Sequence, residues 1–332
     1  MKSTNLNHHK RKPSTKLIIT TIKNTTRFVL LVLAMIVGVG EISSGVLTKS
    51  TEIARALDCG PKPYVELAEG ESSVSFIDVG QGDCELIRTA NHNVLIDSGD
   101  RDMAGVVINF LRYLGITKLD MVIITHPHDD HYAEMTDVLE RFAVGQVIMP
   151  QLPEDMVPVD YNYINLMRTL EKREIPIRYT KAGECFALEE DCRIDVMSPI
   201  YDDYEDMNNF SIVARFVHGE RSFLFTGDLE RMGELDLVES GVEIKSDVLK
   251  VPHHGSANSS SEEFLRAVSP EIAVVSAGSD NGFQHPRTAV LYRLKDAGCS
   301  TTYSTSNNGN VVIVTNGMDL RVEFEKNHAL EL

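Results

Sequence analysis

The sequence predicts an α+β fold arranged as a four-layer αββα sandwich, two mixed sheets face to face with helices on their outer sides. Three observations carry this. From residue 72 onward, short apolar runs alternate with turn signals. Stretches of helical spacing separate the strands in both halves of that region. No linker breaks the chain after residue 70, so the two strand-rich halves belong to one domain of 72–332.

Before it come two segments of different character. Residues 1–56 carry nine Lys/Arg against only Glu41 and Glu52, and include the apolar run FVLLVLAMIVGVG at 28–40. As a helix that run is about 20 Å long, short of the roughly 30 Å hydrocarbon core. A basic stretch before a short apolar run reads as a secretory signal or an uncleaved signal anchor, with a buried core helix as the plainer alternative. The expectation is an exported domain, secreted or held at the outer face of the cytoplasmic membrane. Residues 57–71 read as a linker.

Within the domain, VSFIDV (74–79), CELIRT (84–89) and NVLIDS (93–98) form an opening meander, split by GQG and NHN. MAGVVINFLRYLG has helical spacing and ends on Gly115, a C-cap. LDMVIIT (119–125) is a buried strand, EMTDVLERF begins a helix, and a third helix runs from about 161 to 173. Strands follow at 192–197, 210–217 and 222–226, then a helix near 229–240 and the strand DVLKV (247–251). Ser260 and Glu263 have capping-box spacing for the next helix. EIAVVSA (271–277) is a strand and RTAVLYRLKDAG a helix, and VVIVT and LRVEFE close the chain as strands.

The formal net charge is −17, and beyond residue 56 the balance is 23 basic to 47 acidic side chains, about −24. Such a surface repels polyphosphates at long range. Five cysteines (59, 84, 185, 192 and 299) are too few for a disulfide scaffold and lack metal-finger spacing. Cys185 and Cys192 either clip a hairpin across CFALEEDC or are two small buried side chains.

The chemistry concentrates in THPHDDH, residues 125–131. Just past a strand, His126 and His128 point the same way in extended chain, so both imidazoles face one point. Asp130 and His131 follow as the chain turns into a helix, which swings them toward a neighbouring point. Imidazoles and carboxylates suit zinc or a similar divalent ion, and two pairs aimed at adjacent points suggest two ions. Other strand ends supply further groups: Asp228 in FLFTGDLE, His253 and His254 in LKVPHHGS, and His285 in GFQHP. Gly255 lets the chain turn sharply after the histidine pair. A lone histidine after a strand is more often structural than a ligand, but eight such groups at four strand ends are not explained that way.

These motifs resemble those of the metallo-β-lactamase superfamily. FIDVGQGDCELI, VLIDSG, THPHDDH, FLFTGD, DVLKVPHHGS and QHP resemble, more narrowly, the hydrolase domain of ComEC-type DNA-uptake proteins, over roughly residues 72–326. The cell-wall choline-phosphate esterases are relatives. The resemblance implies His126 and His128 on a first metal, Asp130 and His131 on a second, Asp228 bridging both, and His254 as the last ligand. His285 becomes a substrate-facing group, and His253 sits where most members have a small residue, with Asp130 and Asp228 near the water. It implies zinc, with manganese as the alternative. Many members place another ligand histidine before the bridging aspartate; here only His218 lies in that interval, in an HGER turn that reads as exposed. The first metal is therefore expected to be the weaker.

Two divalent ions sharing a carboxylate lower the pKa of a water between them, so a bridging hydroxide is the expected nucleophile. A protonated His253 or His285 would assist the leaving alkoxide. Phosphodiesters suit such a two-metal clamp. The expectation is a phosphodiesterase or nuclease, with DNA as partner, contact with a membrane only through the N-terminal segment, and no inferable protein partner. The alternatives are a cell-wall phosphodiester esterase, a lactone or β-lactam hydrolase, and a metal-stabilised binding domain without catalysis. With no apolar segment beyond 28–40 long enough to build a channel, the chain reads as the hydrolase domain alone on a leader. Asp78 and Asp83 are expected to cap the GQG turn, Asp97 to support a ligand imidazole, and Asn208 and Asn209 to close a loop.

Overall fold

A computed structural model describes residues 60–101 and 105–326, together with Ala54. The apolar run 28–40, the rest of the 1–56 leader and Cys59 lie outside the described residues. Pro61–Leu332 form one compact unit. Residues 61–71, expected as linker, belong to it: Val65 is buried against Val312 and Val314, and Asn310 Nδ2 donates to the Lys62 carbonyl at 2.7 Å.

The first half contains β1 (Ser72–Phe76), β2 (Glu85–Arg88), β3 (Asn93–Ile96), α1 (Val106–Tyr113), β4 (Lys118–Leu119) and β5 (Met121–Ile123). It continues with α2 (Asp129–Tyr132), α3 (Met135–Arg141), β6 (Ala143–Val144), β7 (Val147–Pro150), α4 (Tyr161–Lys172) and β8 (Ile177–Thr180). The second half holds β9 (Cys185–Ala187), β10 (Cys192–Ser198), β11 (Val213–His218), β12 (Arg221–Phe225), α5 (Arg231–Glu239), β13 (Val248–Lys250), α6 (Glu262–Val268), β14 (Ile272–Val275), α7 (Thr288–Asp296) and β15 (Thr301–Ser304). α8 (Thr305–Asn308), β16 (Val311–Thr315) and β17 (Leu320–Phe324) end the described chain.

One sheet has the order β17-β16-β1-β2-β3-β5-β7-β8 and the other β15-β14-β13-β12-β11-β10-β9. Both are mixed. Strands 17, 16, 1, 2 and 3 are antiparallel and 3, 5, 7 and 8 parallel; in the second sheet 9 to 12 are antiparallel and 12 to 15 parallel.

Strand alternation builds three apolar layers. Leu86, Leu95, Val122 and Val147 face α1, α3 and α4. Their neighbours Ile87, Ile96, Ile123 and Ile148 face Phe216, Phe223 and Phe225 of the second sheet. That sheet's other face sets Leu224, Leu249 and Ala273 against Leu237, Phe264, Leu265 and Leu294 of α5, α6 and α7. Strands buried on both faces read as near-continuous apolar runs, as DVLKV and EIAVVSA do. Each fully buried Phe, Leu or Ile contributes about 1.5–3 kcal/mol, so the three layers provide most of the drive to this arrangement. The four-layer α+β sandwich is the predicted fold.

Local signals fared unevenly. Helix α1 ends as expected at Gly115: its N–H reaches Arg112 O at 2.9 Å and Ile116 N–H reaches Leu111 O at 3.0 Å, the paired closure of a Schellman motif. The cap of α6 is Ser261 rather than Ser260, its hydroxyl accepting from Phe264 N at 3.3 Å. Ser260 sits at φ 58°, and its N–H points with that of Ser261 into the buried carboxylate of Glu234.

Candidate metal centre

The parallel strands of both sheets deliver their carboxyl ends to one place, where open α/β sheets gather ligands. After β3 comes Asp97, after β5 the 125–131 loop, after β12 Asp228, after β13 His253 and His254, and after β14 the loop to His285. Gly82, in the GQG turn, has φ 140°, and a Cβ there would run into the carbonyl of Asp130. That close approach lets Asp83 N–H bond Asp130 O at 3.2 Å and ties the first turn of the domain to the metal loop. Gly255 turns the chain at φ 81°, where a Cβ would strike the Pro286 ring, so the sharp turn read from the sequence is a packing requirement as well.

Asp130, His131, Asp228 and His254 each offer one ligand atom, and those four atoms lie within 4.8 Å of one another. His131 Nε2 is 3.2 Å from Asp228 Oδ1 and His254 Nε2 is 3.4 Å from it. All three atoms are buried and none makes a directed hydrogen bond. Burying unsatisfied polar atoms at such density costs several kcal/mol unless a common partner takes their lone pairs. A divalent cation is that partner, so the donor set fits the expected second metal.

The other ring nitrogens are committed elsewhere, which fixes the tautomers. His131 Nδ1 lies 2.8 Å from Asp97 Oδ2, and His254 Nδ1 lies 2.9 Å from the Ser276 carbonyl. Each ring thus presents its Nε2 lone pair to the centre. Asp97 has the supporting position expected of it.

His126 and His128 are brought together as a separate pair, Nε2 to Nδ1 at 3.0 Å. The His126 ring is 4.2 Å from that of His131, so the pair adjoins the quartet. His126 Nδ1 faces the hydroxyls of Thr125 at 3.2 Å and Ser211 at 3.3 Å. Two close imidazole nitrogens with no carboxylate between them suit the expected first metal, with Asp228 near enough to act on His126 by its charge.

Electrostatics distinguishes the two groups. Burial pushes His254 down, but Asp228 and Asp83 outweigh it and raise its pKa to about 10. His131 is raised in the same way, against burial, by Asp228 and Asp97. Burial raises Asp130 and Asp228, but the neighbouring imidazolium charges hold both below the ordinary carboxylate range. His126 moves the other way, lowered by burial and by the charge of His131. Without metal, then, the quartet stores protons and the His126 ring is neutral.

His253 is half-buried, its Nε2 3.6 Å from Asp228 Oδ2 and its Nδ1 3.2 Å from Glu230 Oε1. His253 and His254 both occupy the left-handed region, at φ 48° and 53°. Two adjacent non-glycine residues there hold strain of a few kcal/mol, as functional loops do. His285 stacks on the exposed ring of Phe283 and lies 6.5 Å from the His254 ring. Burial and the charges of His254 and His253 lower its pKa to about 4, so at pH 7 it is neutral and not the cation expected from the sequence.

Several participants were not expected. Asp83 does not cap the GQG turn; Asp78 does, accepting from Gly80 N–H at 3.3 Å. Asp83 is buried, ion-paired with Lys250, and 3.3 Å from His254 Nδ1. Lys250 Nζ also donates to Gly227 O at 3.0 Å, in the turn that carries Asp228. The signal was present: a lysine inside the buried apolar strand DVLKV demands a charged partner. Asn209 closes a loop as read, accepting from Glu230 N–H and Gly233 N–H.

The cysteine clip does not form. Cys185 sits opposite Asp195 in the β9–β10 register, and Cys192 pairs with His218 on the other side. Both thiols are free.

A sequence profile described as the Metallo-beta-lactamase superfamily matches residues 77–279. ComE operon protein 3 of Bacillus subtilis (strain 168) is 32% identical over 247 residues, which is 68% of this chain and 31% of that protein. Competence protein ComA of Neisseria gonorrhoeae is 34% identical over 236 residues, covering 69% and 30%. The chain thus spans about a third of the length of these relatives. The structure of CmlA, a diiron beta-hydroxylase from Streptomyces venezuelae, superposes with a TM-score of 0.51 at 17% identity over 79% of this chain and 58% of that one, a likeness of fold alone.

Proposed function

This chain belongs to the metallo-beta-lactamase superfamily, and on that footing we propose that it is an exported, metal-dependent phosphodiesterase with DNA as its principal substrate class. The observation that carries the reading is the buried convergence of Asp130, His131, Asp228 and His254 beside the His126–His128 pair. A relative named for competence supports nucleic acid as the polymer.

Two divalent ions held by these residues, zinc in our reading, would supply Lewis acidity and bring the pKa of water at the site toward neutrality. The protein's own groups do the rest. Asp130 stays ionised and partly accessible, so its carboxylate accepts the proton of the attacking water. His253, its Nδ1 3.2 Å from Glu230 Oε1 and its Nε2 3.6 Å from Asp228 Oδ2, lies at the mouth of the site, where as an imidazolium it would hand a proton to the leaving alkoxide. His285, neutral at pH 7, orients substrate by hydrogen bonding rather than by charge. Phe283, 61% exposed and stacked on His285, offers a flat apolar face beside the scissile group.

A second reading, a small or wall-linked phosphodiester, is favoured by charge. Residues 182–211 hold Arg193 alone against nine acids, and a nuclease that tracks a long strand gathers phosphates with Lys and Arg. On DNA we therefore expect weak binding that fades as salt rises.

The test is a hydrolysis panel with the full chain loaded with zinc or manganese: a chromogenic phosphodiester, single-stranded DNA, choline-phosphate esters, a lactone and a β-lactam. Metal-dependent cleavage of the phosphodiesters supports the reading, and DNA against choline ester decides between its forms. Opening of the lactam or lactone with the phosphodiesters left intact overturns it. No turnover at full metal occupancy leaves a binding domain instead.

A further inference from the structure

At the far end of the second sheet lies another set of metal-binding side chains. Ser211, whose hydroxyl touches His126, lies just before β11 and seven residues ahead of His218 at its far end, roughly 23 Å of extended chain. There Cys192 and His218 stand directly opposite each other in the β10–β11 register. His218, expected in an exposed turn, is buried, as is Cys192.

The geometry is that of a ligand set. His218 Nδ1 lies 2.8 Å from the hydroxyl of Ser72 in the first sheet, which fixes the ring. Its Nε2 faces Asp191 Oδ2 at 3.4 Å, and Cys192 Sγ lies 3.6 Å from Asp191 Oδ1. One ligand atom from each of Asp191, Cys192 and His218 falls within 4.8 Å of the others. A hydroxyl on the remote ring nitrogen is the kind of partner that orients a ligating imidazole.

We propose that Asp191, Cys192 and His218 form a second, separate metal site, selective for a thiophilic divalent ion such as zinc, that fastens the β9–β10 turn to β11. Thiolate and imidazole donors favour zinc over magnesium, calcium or manganese, whereas the hydrolytic centre has no sulfur donor. Three protein ligands leave one coordination position for water. The exposed Asp191 carboxylate gives the ion a route in. The Asp191 carboxylate, beside both Cys192 Sγ and His218 Nε2, supplies negative charge that attracts a cation. On binding, the S–H bond breaks, the sulfur lone pair goes to the ion and the proton to solvent, with no change of oxidation state.

Cobalt(II) substitution of the metal-stripped full chain tests this, because thiolate-to-cobalt charge transfer absorbs in the near ultraviolet and the hydrolytic centre cannot produce it. We expect the absorption in the wild type, its loss in Cys192→Ser and its retention in Cys185→Ser. Asp191→Asn, a surface change that leaves the buried residues in place, should weaken cobalt binding about tenfold or more. In parallel, zinc content should fall by one ion per chain in Cys192→Ser only. Absence of the band in the wild type, its persistence in Cys192→Ser, its loss in Cys185→Ser, or unchanged affinity in Asp191→Asn each overturns the proposal. None of these readouts depends on hydrolytic activity, so failure here and failure of the phosphodiesterase reading are distinguishable.

Discussion

Asp97 Oδ2 lies 2.8 Å from Nδ1 of His131. The same oxygen accepts from the Thr125 hydroxyl at 2.6 Å, and that hydroxyl lies 3.2 Å from His126 Nδ1. One buried carboxylate therefore orients an imidazole at each of the two expected metal positions. Asp97→Asn keeps the side-chain shape and tolerates the native φ of 55°, but replaces the charged acceptor. Metal affinity should fall about 10- to 100-fold with the fold intact. Chelator competition with circular dichroism checks this, and unchanged affinity would refute the supporting role.

Asp228 Oδ1 joins two imidazoles of the quartet, 3.2 Å from His131 Nε2 and 3.4 Å from His254 Nε2. Asp228→Ala should leave less than one ion per chain at the centre and reduce hydrolysis to background. Elemental analysis beside the phosphodiester assay reads both. A fully active Asp228→Ala protein would sink the assignment.

Metal uptake should release protons. With His254 raised to about 10 and His131 raised well above its ordinary value, the metal-free centre is protonated at pH 7. Binding must displace those protons, so affinity climbs with pH. The sign for the metal-free fold is opposite. The stability His254 contributes is fully present below its unfolded value of 6.5 and is lost as pH rises through about 10. Calorimetry in buffers of different ionisation enthalpy should show about one to two protons released per chain; a buffer-independent heat would contradict the protonated centre.

Lys250→Met should be costly. It leaves the Asp83 charge buried without its cation, a loss of about 3–5 kcal/mol in urea unfolding. Burial raises Asp83, but Lys250 and His254 hold it below 3.8, so its contribution is present above that pH and is lost as pH falls through the folded value. Changing Asp83 to Leu in the Lys250→Met background should recover part of the loss. A single variant as stable as the wild type would show that the pair is not carrying the fold.

The proposed export rests on the basic leader and the apolar run 28–40, which lie outside the described residues; among the described residues no helix is long and apolar enough to cross a membrane. Protease added to intact, wall-stripped cells should digest the domain. Complete protection until lysis would place it inside.

The sequence by itself determined the α+β class and most strands and helices, and it singled out six residues that the fold brings close together: His126, His128, Asp130, His131, Asp228 and His254. These were legible because the relevant patterns are local. Near-continuous apolar runs mark strands buried on both faces, and ligand side chains cluster at strand ends within a few residues of a turn. The strands β7, β8, β9 and β15 were not read, since a stretch of three or four residues is too short to show a periodicity apart from the neighbours it pairs with. Only the tertiary structure decided what lies beneath the ligands and what lies far from them. Asp83 and Lys250 are 167 positions apart in sequence, and become partners because β13 runs beneath the opening turn of the domain. His218, which reads as a turn residue, is buried because Ser72 of the opposite sheet and the β16–β17 turn close over it. Burial and long-range charge pairing depend on which strands lie side by side, and that is settled by the joint packing of both sheets rather than by any window of sequence.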